Sequence, residues 1–139
     1  MDAMLARGHR LTACATDDAH FKCNDFFGGW MMVKSASLEP EALLAALRAG
    51  HAYATQGPEI HAVAVESDTV TVECSPARSI MLLGRATASE VVFGTDLRRA
   101  RLPLGCLKPG GYGRVVVTDA AGKRAWSNPF WLDERPPAG

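Results

Sequence analysis

No apolar run in this chain of 139 residues approaches the roughly 20 consecutive residues that a membrane-spanning helix requires. The N-terminus also lacks a basic stretch followed by an apolar one, so a soluble, cytoplasmic chain without membrane contact is expected. Net charge is missing as well. Lys plus Arg and Asp plus Glu are each 15, which leaves no global field to recruit nucleic acid or an anionic surface. The four cysteines, Cys14, Cys23, Cys74 and Cys106, contain no Cys-x-x-Cys pair and no regular spacing. Reduced, mostly buried thiols are therefore expected rather than a disulfide framework or a structural zinc site. No internal repeat or low-complexity segment divides the chain. What is present is the composition of a folding protein, 47% apolar and 22% charged, with length for one ordinary domain or a small domain plus part of another.

Local patterns give two grammars. Met1, Met4 and Leu5 have helical spacing, and Gly8 suits the residue after a helix end. Leu11 to Ala15 reads as a short strand, and Trp30 to Lys34, after Gly28-Gly29, as another. Pro40 fits the first helical position, with Glu39 and Glu41 where negative charge is favoured. Leu43, Leu44 and Leu47 then form an apolar face, and Gly50 stops the helix. Beyond Gln56-Gly57-Pro58 short alternating strands recur: Ile60 to Glu66, Thr69 to Cys74, Arg78 to Leu83, Glu90 to Phe93, Arg99 to Leu104, Gly113 to Thr118 and Lys123 to Trp126. Turn clusters such as Ser75-Pro76, Gly94-Thr95-Asp96 and Asp119-Ala120-Ala121-Gly122 separate them. This spacing predicts an antiparallel β-sandwich over 58–134, with a disordered tail at 135–139.

The chemistry-bearing stretch is Thr16-Asp17-Asp18-Ala19-His20. If it leaves the end of a strand, Asp18 and His20 project to the same side and can meet one cation. Carboxylate oxygen with imidazole nitrogen suits zinc or manganese. Other candidates are weaker. His9, His51 and His61 each stand alone, where surface histidine is ordinary. Trp30, Met31 and Met32 could form a substrate wall, but alternating apolar residues in a strand are usually core. Lys108-Pro109-Gly110-Gly111-Tyr112-Gly113 lacks the Gly-Lys-Ser/Thr ending and following helix of a phosphate loop, so it reads as a hairpin turn. Ser75 and Ser127 lack the His and Asp pattern that makes a nucleophile.

The ordered series Leu5-x-x-Gly8, Ala15-Thr16-Asp17-Asp18-Ala19-His20, Gly28-Gly29-Trp30, Ala45-Ala46-Leu47-Arg48-Ala49-Gly50 and Tyr53-Ala54-Thr55-Gln56-Gly57-Pro58 resembles the C-terminal part of PHP-type (polymerase and histidinol phosphatase) metallohydrolases. It is most similar to the subgroup with a small β domain after the barrel. The likeness is dense to about residue 61; beyond it, Trp126-Ser127-Asn128-Pro129 is the main echo. The resemblance implies an α+β chain: residues 1–57 as a remnant of the last β/α units of a PHP barrel, followed by the β-sandwich. It also implies a divalent metal cofactor (Zn, Mn or Fe) and hydrolysis of a small phosphoester or related ester. Asp18 and His20 fall on the family's last metal-binding motif, and Asp17 sits behind them as a supporting residue. The chain departs from the family in having no His-x-His pair among His9, His20, His51 and His61, so most metal ligands are absent. A metal held by Asp18 and His20 alone would owe its remaining coordination to water and be weak.

Three classes of function follow. The chain is the C-terminal portion of a metal-dependent phosphoesterase, inactive without the rest of the barrel, or a β-sandwich binding module, or a structural remnant. Strands made for a barrel would expose backbone edges and apolar faces, so pairing in a homodimer, with a missing barrel portion, or with the chain's own β domain is expected. If the face of the helix after Pro40 is fully buried, Leu47→Ala should cost about 2–5 kcal/mol.

Overall fold

The computed structural model describes residues 1–107 and 111–134, the last of these by backbone alone. The expected turn at Lys108-Pro109-Gly110 and the tail at 135–139 lie outside the described residues. Among the described residues two α-helices, α1 (Asp2–Leu5) and α2 (Pro40–Arg48), accompany eight strands: β1 (Trp30–Val33), β2 (Ala52–Thr55), β3 (Ile60–Val65), β4 (Thr69–Leu83), β5 (Ser89–Pro103), β6 (Tyr112–Thr118), β7 (Arg124–Ser127) and β8 (Phe130–Trp131). The fold is thus β-rich and antiparallel throughout, a sheet curled into a half-barrel.

Both helices stop as their glycines predict. Gly50 takes a φ of 75°, its N–H reaches Leu47 O at 3.1 Å, and the His51 N–H reaches Ala46 O at 2.9 Å. Gly8, with φ of 86°, repeats the pattern through His9 N–H to Met4 O. These are paired closures around a left-handed residue, a conformation that glycine adopts without steric cost.

The segment Leu11 to Ala15 is not the strand its composition predicts. It has no regular structure, and its backbone donors go elsewhere: Ala13 N–H to Asn128 Oδ1 at 2.9 Å and Ala15 N–H to the Met31 sulfur at 3.2 Å. Nor does α2 make the parallel crossover of a β/α unit. It joins β1 to β2, which run antiparallel with Trp30 opposite Thr55 and Val33 opposite Ala52. β2 then pairs β7, Ala54 opposite Trp126, so the sheet is continuous across Gln56-Gly57-Pro58 and β1 reaches the β-rich part through β2.

β4 and β5 merge strands that the turn residues had separated. Ser75-Pro76 and Gly94-Thr95-Asp96 fall on either side of the pair Ala77–Leu97, at two successive register shifts between the pairs Glu73–Arg99 and Ser79–Phe93. Proline has no N–H to give the ladder, and Asp96 sits at a φ of 58°; with one interruption on each strand, at successive register shifts, the ribbon bends instead of reversing. The bend lets β4 serve two neighbours, β3 along its first half and β6 along its second. Val70, Val72, Ile80, Leu82, Leu102, Val115 and Val117 fill the concave side and are wholly or nearly wholly buried.

On the convex side α1 is tied down by Asp2, whose carboxylate takes two hydrogen bonds from the Arg114 guanidinium at 2.8 and 2.7 Å, and Leu5 is buried. A Cβ on Gly113 would collide with Phe130 and Leu107, so glycine is what lets β8 cross this close to β6.

Candidate functional site

The loop at 16–29 is built around two carboxylates that turn inward. Asp17 accepts the backbone N–H groups of Phe27, Gly28 (2.8 Å) and Gly29 (3.0 Å), closing the loop on itself. Asp25 accepts the His20 backbone N–H at 3.0 Å and lies 3.9 Å from its Nδ1. That hydrogen bond is the main reason its carboxyl lies below the usual carboxylate range. Phe21 and Phe27 occupy left-handed backbone positions, with φ of 55° and 60°. Such strain in a bulky residue is tolerated where surrounding contacts dictate the conformation, and three backbone bonds to one carboxylate do so at Phe27 to Gly29.

Asp18 and His20 are exposed on this loop. Around them stand Phe21, Phe26 and Phe27, stacked and edge-on with centroids 6.0 and 5.5 Å apart. Phe21 is 81% exposed and Phe27 78%, so the cluster is formed but uncovered. Asp25 Oδ1 is shielded from solvent and lacks a hydrogen-bond partner. Among the described residues no three side chains of His, Cys, Asp or Glu converge to hold a metal ion. The loop alone therefore does not fit a bound divalent metal.

A second concavity lies where the half-barrel fails to close. It has a volume of about 900 Å³ and lies between the β1–β2 ladder on one side and β3 on the other, floored by the corner from Ser127 to Phe130. Met32, Tyr53, Ile60, Val63, Val65 and Phe130 make its apolar surface. His51 and His61, which looked isolated in sequence, both line it, and His61 Nε2 lies 2.9 Å from Glu59 Oε2. Burial, then the charge of Glu59, pushes the Tyr53 phenol up.

Ser127 and Asn128 carry structure here. Ser127 Oγ accepts the Val115 N–H at 2.8 Å and donates to Asn128 O at 2.9 Å. Asn128 donates through Nδ2 to Gly50 O and Ala52 O, both at 2.9 Å, while its Oδ1 takes Ala13 N–H. Thr55 likewise ties its own turn, accepting Gly57 N–H and donating to Pro58 O at 2.6 Å. The motif ending at Gly50 and the motif Trp126-Ser127-Asn128-Pro129 thus meet through the Asn128 side chain.

Sequence reasoning missed Asp25, whose only signal was its spacing of five from His20. It also missed the groove, whose lining is assembled from β1, β2, β3 and the corner from Ser127 to Phe130. No protein-family model, curated protein or solved structure matches the chain. No helix among the described residues is long and apolar enough to cross a membrane.

Proposed function

We propose that the chain is the C-terminal portion of a metal-dependent phosphoesterase, contributing Asp18 and His20 to a divalent centre whose other ligands come from a separate barrel portion. The observation that carries this reading is the pairing of two exposed donor side chains with an uncovered aromatic cluster on one loop. Exposed aromatics in contact with one another mark a surface meant to be covered. Asp17, spent on three backbone donors, supports the loop and is not a ligand. Leu38, Leu44 and Leu47 around α2 add uncovered apolar surface. It would receive the missing portion or a second copy of the chain. On this reading residues 1–57 descend from the last β/α units of a PHP-like barrel, 58–134 are the appended β domain, and the protein works in the cytoplasm on a small phosphoester or related ester.

The test is the polypeptide encoded when the reading frame is extended upstream of the Met1 codon. It should carry a His-x-His motif and hydrolyse p-nitrophenyl phosphate or its diester with Mn²⁺ or Zn²⁺. Asp18→Ala and His20→Ala should each abolish that activity. Hydrolysis that survives both changes, or turnover by the 139-residue chain alone, would refute the proposal. The open groove favours a second reading, a binding module.

A further inference from the structure

The groove has a polarity set by strand alternation. On β1 the side chains that face the concave side are Trp30 and Met32, and on β2 Thr55 and Tyr53, paired Trp30 to Thr55 and Met32 to Tyr53. One step further along the same two rows stand Lys34 and His51, held opposite each other by the Lys34 N–H to His51 O bond of 2.8 Å. Each row therefore runs from apolar to cationic or imidazole, and both change at the same end. Ser35, also lining the groove, keeps its Oγ shielded from solvent with no hydrogen-bond partner. A hydroxyl in that state is either a cost to folding or a donor awaiting an acceptor. Among the described residues no carboxylate pairs with Lys34, whereas Glu59 is engaged by His61. The facing wall, Ile60, Val63 and Val65, is apolar, and the volume of about 900 Å³ is that of a small-molecule site.

We propose that the groove binds a small amphipathic anion, a carboxylate with a medium-length aliphatic body. The body lies against Met32, Tyr53, Val63 and Val65. The head is received by the Lys34 ammonium, the Ser35 hydroxyl and the His51 ring. Charge complementarity selects this occupant over a neutral or cationic amphiphile, since the donors at the head end have no acceptor of their own. The inference does not depend on whether Asp18 and His20 ligate a metal.

Decanoate below its micellar concentration is the probe, titrated into the 139-residue protein and followed by the methyl resonances of Met32, Ile60, Val63 and Val65. Saturable shifts confined to those methyls are expected. Decyltrimethylammonium should bind about tenfold more weakly or worse, and 1-decanol between the two. Lys34→Glu, at an exposed position that leaves the fold intact by circular dichroism, should weaken decanoate by about tenfold without weakening decanol. Ser35→Ala serves as the second variant and should weaken decanoate several-fold. Absence of saturable shifts, equal binding of the cationic probe, or decanoate affinity unchanged in both variants would overturn the proposal.

Discussion

Replacing Asn128 by alanine removes three hydrogen bonds at once, each about 2.9 Å long, to Ala13 N–H, Gly50 O and Ala52 O. They join the N-terminal segment and the turn after α2 to the end of β7, elements 76 to 115 residues apart in sequence. A neutral bond of this kind contributes about 0.5–1.5 kcal/mol net, so the three sum to about 1.5–4.5 kcal/mol. The groups are only partly buried and water can replace some bonds, which places Asn128→Ala at about 2–3 kcal/mol. Urea denaturation is the assay, and the midpoint should fall with little change in slope. Asn128→Asp sharpens the test. It keeps an acceptor for Ala13 but sets a carboxylate against two carbonyl oxygens, so the folded-state pKa of the new carboxyl is raised. Its destabilisation should equal or exceed that of alanine at neutral pH. It should shrink as the pH falls through that raised pKa, when the protonated group can donate again. A loss below about 0.5 kcal/mol for Asn128→Ala would refute the view that this side chain holds the junction.

Asp17→Ala should speed amide hydrogen exchange at Phe27, Gly28 and Gly29 while leaving β4 to β6 unchanged, because those donors lose their common acceptor. The Arg114 hydrogen bonds hold the Asp2 carboxyl below its ordinary value, so its stabilisation is complete above the ordinary carboxylate pKa and is lost as pH falls through the lowered one. Asp2→Asn should therefore cost about 1 kcal/mol or less near pH 7, Asp2 being 54% exposed, and nothing in strong acid; a difference that grows on acidification would contradict the ion pair. Leu47 is 37% exposed and Leu44 51%, so the full burial that would make Leu47→Ala cost several kcal/mol is not met. A loss of about 1 kcal/mol is expected for the protein in dilute solution, and a larger, concentration-dependent loss would place a second copy on this face.

Much of the local structure was legible from residue chemistry. Pro40 and Gly50 bound α2 as capping rules require, Gly8 closes α1, and the strands Ile60–Val65 and Tyr112–Thr118 appear where alternation put them. Boundaries went astray where one signal has two structural outcomes. Ser75-Pro76 and Gly94 to Asp96 look like chain reversals singly, but on two paired strands, either side of the Ala77–Leu97 pair, they make a bend within one hairpin. β2 and β8 did not stand out in the sequence and exist because β7 and β6 offer them hydrogen bonds. Leu11 to Ala15 failed for the converse reason: its composition suits a strand, but its donors are taken by Asn128 and Met31.

Thr16 to His20 shows the same division. Residue types alone marked Asp18 and His20 as donors, because only such side chains can bind a divalent cation, and nothing tertiary was needed for that. The inward turning of Asp17 and Asp25 and the exposure of three phenylalanines depend on how the loop closes between Ala15 and Trp30. The groove depends on more distant pairings still. Lys34 and His51 stand opposite each other because β1 and β2 are antiparallel, and Val63 and Val65 line the same groove because a bent hairpin curls the sheet until β3 stands across from β2, with no ladder between the two among the described residues. Composition and spacing determine what each residue can do within a few neighbours. Which residues share a cavity is decided by register and curvature, which arise only when the whole sheet is hydrogen-bonded.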